Sequence, residues 1–190
     1  MPTVYQGLFA LVWIAWAIYW LASARNTKVT VRREALGSRL LHIAPLLLAA
    51  ALLCMPEGMA PPLDRRFLRP SLWTFWTGLS LTVAGLLFCV WARRHIGANW
   101  SGTVTLKQDH ELVRSGPYAL VRHPIYTGLL LGFIGSALAC GQLRGVLAVA
   151  LVAWALWRKL RNEERWMLEQ FGAAYAQYCR QVRALVPFVL

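Results

Sequence analysis

Residues 122–159 read RHPIYTGLLLGFIGSALACGQLRGVLAVALVAWALWRK. Two apolar runs, 125–143 and 145–157, lie between basic ends and are separated by little more than CGQLR. So short a connection leaves room only for a tight helical hairpin. A helix needs about 20 apolar residues to cross a bilayer. The second run has thirteen before Arg158, so its lower end leans on snorkelling Arg and Lys side chains. Working outward, residues 71–92 and 4–24 are uncharged, and 40–55 is a shorter apolar run containing Pro45. The LASA at 21–24 resembles a signal cleavage site, but no basic residue precedes the apolar run, so 4–24 reads as a membrane helix. The expectation is an all-α integral membrane protein with about five transmembrane helices, the last two a tight hairpin.

Composition agrees. Of the 190 residues, 58% are hydrophobic and 15% charged, where soluble domains carry about 25% charged residues. The ten tryptophans suit a water–lipid interface. The net charge of +12 raises nucleic acid as a partner. The charges, however, gather in loops between apolar runs and not on one face, which argues against it. Residues 25–39 carry five basic side chains, 93–122 five and 158–190 six, against three in 56–70 and one in 140–144. The positive-inside rule then puts the rich segments in the cytoplasm, with the N-terminus outside and the C-terminus inside the cytoplasmic membrane. Cys54, Cys89, Cys140 and Cys179 show no C-x-x-C spacing and read as small apolar filler, with no metal site.

Gly128, Gly132 and Ser136, with Gly141 and Gly145, fall at four-residue spacing, which lets helix backbones approach closely in lipid. After Trp157, Leu160, Met167, Phe171, Tyr175, Tyr178 and Val182 recur near helical spacing among charges. That predicts a cytoplasmic amphipathic helix, broken or bent near Gly172.

Polar chemistry concentrates at the entrance of the fourth span. Ser115-Gly116-Pro117 is turn chemistry. Pro124 disfavours a helical His123 and suits the first turn of the helix that follows. Arg122 and His123 therefore sit at that helix's mouth, with Tyr126 in its first turn, where free N–H groups bind anions. Each residue alone has a plainer explanation: Arg122 as a headgroup anchor, His123 as a cap, Tyr118 and Tyr126 as belt aromatics, Glu163 and Glu164 as a solvated pair. His42 and His95 read as structural.

Taken together, HELVRSGPYALVRHPIYTG, a hairpin, and EERWMLEQFGAAYAQYCRQV resemble the isoprenylcysteine carboxyl methyltransferases and related phospholipid methyltransferases. The similarity runs over about residues 93–187. Length and the apolar runs give one membrane domain, 1–190, with three N-terminal spans in 1–92; the resemblance implies that 93–190 is its cofactor-binding catalytic half. It implies S-adenosyl-L-methionine as cofactor, held on the cytoplasmic side by His110, Glu111, Leu112, Val113, Tyr118, His123, Pro124, Ile125, Tyr126 and Glu163. The basic residue four before Glu163, an arginine that meets the substrate carboxylate in eukaryotic members, is Lys159 here, with Arg161 or Arg158 as possible substitutes. The implied partner is a lipophilic or lipid acceptor within the membrane, an isoprenylcysteine-like carboxylate first among them. A phospholipid amine, an NADPH-dependent reductase of the sterol-reductase type and a non-enzymatic scaffold are the alternatives.

The chemistry of that cofactor suits the residues. Tyrosine faces stabilise a sulfonium by about 0.5–2 kcal/mol, Glu163 suits its ammonium, and Arg122 with the helix N-terminus suits its carboxylate. Lys159, Glu163 and Met167 share one helix face by i, i+4 spacing, and with the roles that the resemblance implies, Arg122, Lys159 and Glu163 are the candidate catalytic groups. A carboxylate acceptor is ionised at neutral pH and needs no general base, so His123 is not assigned as one.

Overall fold

The computed structural model describes residues 3–24, 30–100, 105–107 and 111–187. Among the described residues seven α-helices follow in chain order: α1 Thr3–Ser23, α2 Leu36–Cys54, α3 Leu72–Ile96, α4 Pro117–Leu120, α5 Pro124–Cys140, α6 Leu143–Phe171 and α7 Ala173–Gln181. The core is helical as expected. Outside it, β1 Thr30–Arg33 pairs antiparallel with β2 Thr105–Lys107, joining the α1–α2 connection to the loop before α4. Two helices, Leu36–Cys54 and the stretch Leu72–Asn99, are long and apolar enough to cross a membrane, and Gly7–Ser23 and Pro124–Cys140 are shorter apolar helices.

Local sequence explains the ends. Ser71 caps α3: its Oγ accepts from Thr74 N at 3.1 Å, while Thr74 Oγ1 accepts from Ser71 N at 3.1 Å. Pro124 opens α5 at the first turn, where its missing N–H costs nothing. Gly172 ends α6 at φ 51° and starts α7, at the break predicted from sequence. Only Gly141 and Gln142 lie between α5 and α6.

The closest helix approach is between α3 and α5. A Cβ on Gly85 would lie 2.4 Å from Gly128 O, and one on Gly135 would lie 2.4 Å from Gly78 O. Glycines seven residues apart on each helix therefore meet in pairs, and no larger residue fits there. The sequence pattern located Gly128 and Gly132 but not their partners on α3. Gly145 makes the smaller contact within the α5–α6 pair, against Ala137. Thr82 Oγ1 seals the α3–α5 seam by donating to Gly78 O and Gly132 O, and Trp13 Nε1 of α1 donates to Ser136 Oγ at 3.1 Å. α2 packs along α6, and Ala49, Leu52, Phe133, Ala148, Val152 and Leu156 form the core between them and α5.

The two ends of the bundle differ. At one, Phe67 N donates to Gly141 O, and Arg66 pairs with Glu57, which also accepts from Gln142. These bonds tie the α2–α3 loop to the α5–α6 turn. At the other end meet the C-terminal ends of α1 and α3, the N-terminal ends of α2 and α5, and α4. The functional residues lie there.

Candidate functional site

The Gly116-Pro117-Tyr118 turn is held from three sides. Gly116 has φ 60°, and a Cβ there would fall 2.7 Å from the His95 ring, so only glycine fits. His95 Nε2 and Ser115 Oγ lie 2.9 Å apart, and the His95 ring stacks near Tyr118. This is the structural role read for His95. Tyr178 Oη of α7 donates to Tyr118 O at 2.6 Å. The second tyrosine of FGAAYAQY, residues 171–178, thus fixes the backbone of the turn's tyrosine. Burial raises both phenol pKa values, so both rings stay neutral.

Arg122 is almost fully committed. Its guanidinium Nε and Nη2 donate to Glu164 Oε1 at 2.8 and 2.6 Å, and Nη1 donates to Cys179 O and Val182 O. The backbone joins in: Arg122 N donates to Arg183 O and His123 N to Ala184 O, while Thr127 Oγ1 donates to Leu185 O. The segment after α7 is thereby laid along the mouth of α5. Burial alone would raise the Glu164 carboxyl pKa; hydrogen bonds and charge from His123 and Arg122 outweigh it and hold the carboxyl below its usual range. The sequence reading gave Glu164 only the plain role of half a solvated pair. The adjacent Glu163 carried the assignment, yet neighbouring helix positions point about 100° apart and so serve different groups.

Glu163 faces the interior of the site. It accepts from Tyr126 Oη at 2.6 Å, lies 3.6 Å from His123 Nδ1, and lies 3.9 Å from Lys159 Nζ. Lys159 Nζ also stands 5.2 Å from the Tyr126 ring centroid, and the His123 and Tyr126 rings are stacked 5.3 Å apart. One carboxylate, one ammonium and two parallel rings therefore form a compact group at the junction of α5 and α6.

These groups open onto one cavity of about 340 Å³. Glu111, Leu112, Val113, Tyr118, His123, Pro124, Ile125, Tyr126 and Glu163 all line it, as do Arg122 and Lys159. The tenth expected cofactor contact, His110, lies outside the described residues. Met167 lines the cavity with Lys159 and Glu163, as the i, i+4 reading requires. Sequence reasoning missed the contributions of α1 and of the turn that follows α3, namely Trp16, Trp20, Asn99 and Trp100. A tryptophan in an apolar run reads as a membrane-belt residue, and nothing in its spacing points to a cavity. Arg158 is engaged elsewhere, donating to Ser38 O at 3.0 Å, and neither it nor Arg161 is among the lining residues.

The chemistry of this wall fits S-adenosylmethionine. Two aromatic faces and a carboxylate suit a sulfonium and an ammonium, and apolar side chains from five helices surround them. The cavity is of ligand size.

Known proteins align with the same region. A family model for phospholipid methyltransferases matches residues 73–174, from the first turns of α3 into α7. A probable protein-S-isoprenylcysteine O-methyltransferase of Oryza sativa subsp. japonica is 30% identical over 145 residues, 72% of this chain and 75% of that one. The Homo sapiens protein-S-isoprenylcysteine O-methyltransferase is 32% identical over 126 residues, 64% of this chain and 44% of that one. The Schizosaccharomyces pombe enzyme of the same name is 33% identical over 96 residues, 49% of this chain and 41% of that one. The chain thus spans less than half the length of the human and fission yeast relatives. A family model that takes in more than half of the residues, joined to a 30% identical relative matched over three quarters of its length, fixes the descent: the chain belongs to the phospholipid methyltransferase family.

Proposed function

We propose that the chain is an integral-membrane, S-adenosylmethionine-dependent methyltransferase that esterifies the carboxylate of an isoprenylcysteine-like lipophilic acceptor. The observation that carries this reading is the convergence on one cavity of every described residue expected to touch the cofactor. The names of the relatives supply the acceptor class. Within this reading α1, α2, α3, α5 and the first half of α6 are the five spans. The N-terminus lies outside, the cavity faces the cytoplasm, and the catalytic half is 93–190.

When bound, the cofactor supplies an electrophilic methyl group on a positively charged sulfur. The protein's part is positioning and exclusion of water. Glu163, held by Tyr126 Oη at 2.6 Å, would hold the cofactor's ammonium. Tyr126 and Tyr118, which line the same cavity, would present ring surface to the sulfonium. Lys159 stands 3.9 Å from Glu163 and attracts the acceptor carboxylate as a point charge. A carboxylate acceptor is already ionised at neutral pH, so no residue of the chain would have to take up a proton, and Lys159 and the cavity wall would only hold the acceptor in line and keep water out. Arg122 works through Glu164: its hydrogen bonds fix the segment after α7 and the start of α5, and with them His123 and Tyr126. The acceptor's tail remains among the apolar spans while its head reaches the cavity.

The matched family's name brings phospholipid amines into view as a second acceptor class. An ammonium must lose a proton before it attacks. His123, 3.2 Å from Glu164 Oε1 and 3.6 Å from Glu163 Oε2, is the group placed for that task. Transfer of radiolabelled methyl from S-adenosylmethionine to an S-prenylated N-acetylcysteine by the purified protein tests the leading reading. Label found only in phospholipid amines would replace it with the second.

A further inference from the structure

Two buried polar atoms on the cavity wall have no hydrogen-bond partner among the described residues: Trp16 Nε1 of α1 and Asn99 Oδ1, at the end of the 3₁₀ turn Gly97–Asn99 that follows α3. Asn99 is 9% exposed. One atom is a donor and the other an acceptor. Buried polar groups in folded proteins are nearly always paired, and an orphan costs stability, so each exception calls for an explanation. Of the described residues with such orphans, these two line the cavity.

The wall around them is stiff and flat-faced. The Trp16 and Trp20 rings stack 4.8 Å apart, and Trp100 meets Trp20 edge-on at 5.2 Å. Arg93 locks this arrangement: it donates to Ser23 O at the end of α1 and to Gly97 O beyond α3, and its guanidinium lies 4.5 Å over the Trp100 ring. The orphans thus sit in a preorganised surface, the condition in which unmet hydrogen-bonding capacity is kept for a ligand. α1 and the end of α3 contribute none of the groups expected to hold the cofactor. The cavity must also admit a second ligand, the methyl acceptor.

We infer that the wall formed by Trp16, Trp20, Asn99 and Trp100 is an acceptor subsite that selects a lipid carrying an amide close to its methylated head, with Asn99 accepting the amide N–H. Trp16 Nε1 serves an acceptor atom deeper along the same wall, and the indole faces hold the apolar chain. The inference rests on the proposed methyltransferase reading and narrows its substrate class. A purely hydrocarbon-linked carboxylate would leave Asn99 orphaned in the complex as well, and the site would discriminate against it.

The test compares two acceptors on the full-length protein in detergent: an S-prenylated N-acetylcysteine and the matching S-prenylated 3-mercaptopropionate, which lacks the amide. The readout is the ratio of their kcat/KM values, with calorimetric affinity for S-adenosylhomocysteine and a melting curve measured alongside. Loss of one hydrogen bond predicts that Asn99→Leu lowers the ratio about tenfold, while Asn99→Asp, which keeps an acceptor oxygen, restores part of it. Trp16→Phe, which keeps an aromatic face but removes the N–H, should weaken both acceptors alike. A ratio unchanged in folded Asn99→Leu overturns the inference. So does a loss confined to S-adenosylhomocysteine affinity, which would assign Asn99 to the cofactor. A wild-type protein that binds S-adenosylhomocysteine but methylates neither compound overturns the proposed acceptor class, and this inference with it.

Discussion

Replacing Glu163 by glutamine removes a charge from the centre of the site and little else. Tyr126 Oη donates to Glu163 Oε1 at 2.6 Å, and a glutamine carbonyl accepts the same bond. Lys159 Nζ at 3.9 Å and His123 Nδ1 at 3.6 Å lose a charged neighbour. Both contacts are long and the Glu163 side chain is 22% exposed, so the folded state suffers little. A bound cofactor suffers more. A hydrogen bond to a charged group contributes about 1.5–3 kcal/mol. With this degree of solvent contact the lower part of that range applies, about 1.5–2 kcal/mol, which weakens binding about 10- to 30-fold. Tyr126→Phe leaves the carboxylate charged but less well oriented, and the ordinary hydrogen-bond value of about 0.5–1.5 kcal/mol predicts a loss of about 2- to 12-fold. Titration calorimetry with S-adenosylhomocysteine at 25 °C, with melting curves as a folding control, reads both. A Glu163→Gln protein that melts like wild type and binds within about twofold would refute the assignment of Glu163 to the cofactor.

Other consequences follow from the same geometry. Lys159→Gln removes the charge proposed to attract the acceptor carboxylate; acceptor KM rises about tenfold or more, whereas affinity for S-adenosylhomocysteine changes less, as paired kinetic and calorimetric runs would reveal. The Glu164 carboxyl is held below its usual range by His123 and Arg122. Its contribution to stability is therefore complete above the unfolded-state value of about 4.3 and is lost as pH falls through the lower folded-state value. Melting curves between neutral and acidic pH should accordingly be flatter for Glu164→Gln than for wild type. Gly85→Ala places a Cβ 2.4 Å from Gly128 O and 2.8 Å from Gly132 N, against backbone that cannot yield cheaply. Overpacking of this kind costs about 1–3 kcal/mol or more, whereas Gly37→Ala on α2, with nothing within 4 Å of the new atom, leaves the melting temperature unchanged or raised.

What the sequence made legible was whatever is written in local chemistry. Pro124 announced the start of α5, Gly172 the break before α7, and the repeat Lys159, Glu163, Met167 a shared helix face. The residues around Gly116 to Tyr126 gathered on one cavity because a turn, a proline-started helix and its first-turn tyrosine leave the chain little freedom. What escaped depends on partners that local patterns do not name. Gly78 and Gly85 look like any glycines of an apolar helix until Gly135 and Gly128 lie against them. The segment after α7 is docked by its own carbonyl oxygens, from Val182 to Leu185, and backbone acceptors leave no trace in side-chain identity. Glu164 and Arg122 are 42 positions apart, and only the folded chain reveals that the second glutamate of the pair closes the site from behind. Trp16 and Trp20 belong to the N-terminal half, where the resemblance carried no motif, and Asn99 lies ahead of the motifs that carried it.

The central claim is that this cavity holds S-adenosylmethionine. A melting curve of the detergent-purified protein with its demethylated product S-adenosylhomocysteine, and with NADPH as control, tests it most directly. A ligand bound only by the folded state stabilises it by about 2.7 kcal/mol at a hundredfold excess over its dissociation constant, a rise of about 5–11 °C for a chain of this size. The account predicts that rise with S-adenosylhomocysteine, its loss in Glu163→Ala, and no shift with NADPH. A shift with NADPH alone, or none with S-adenosylhomocysteine at millimolar concentration, would contradict it.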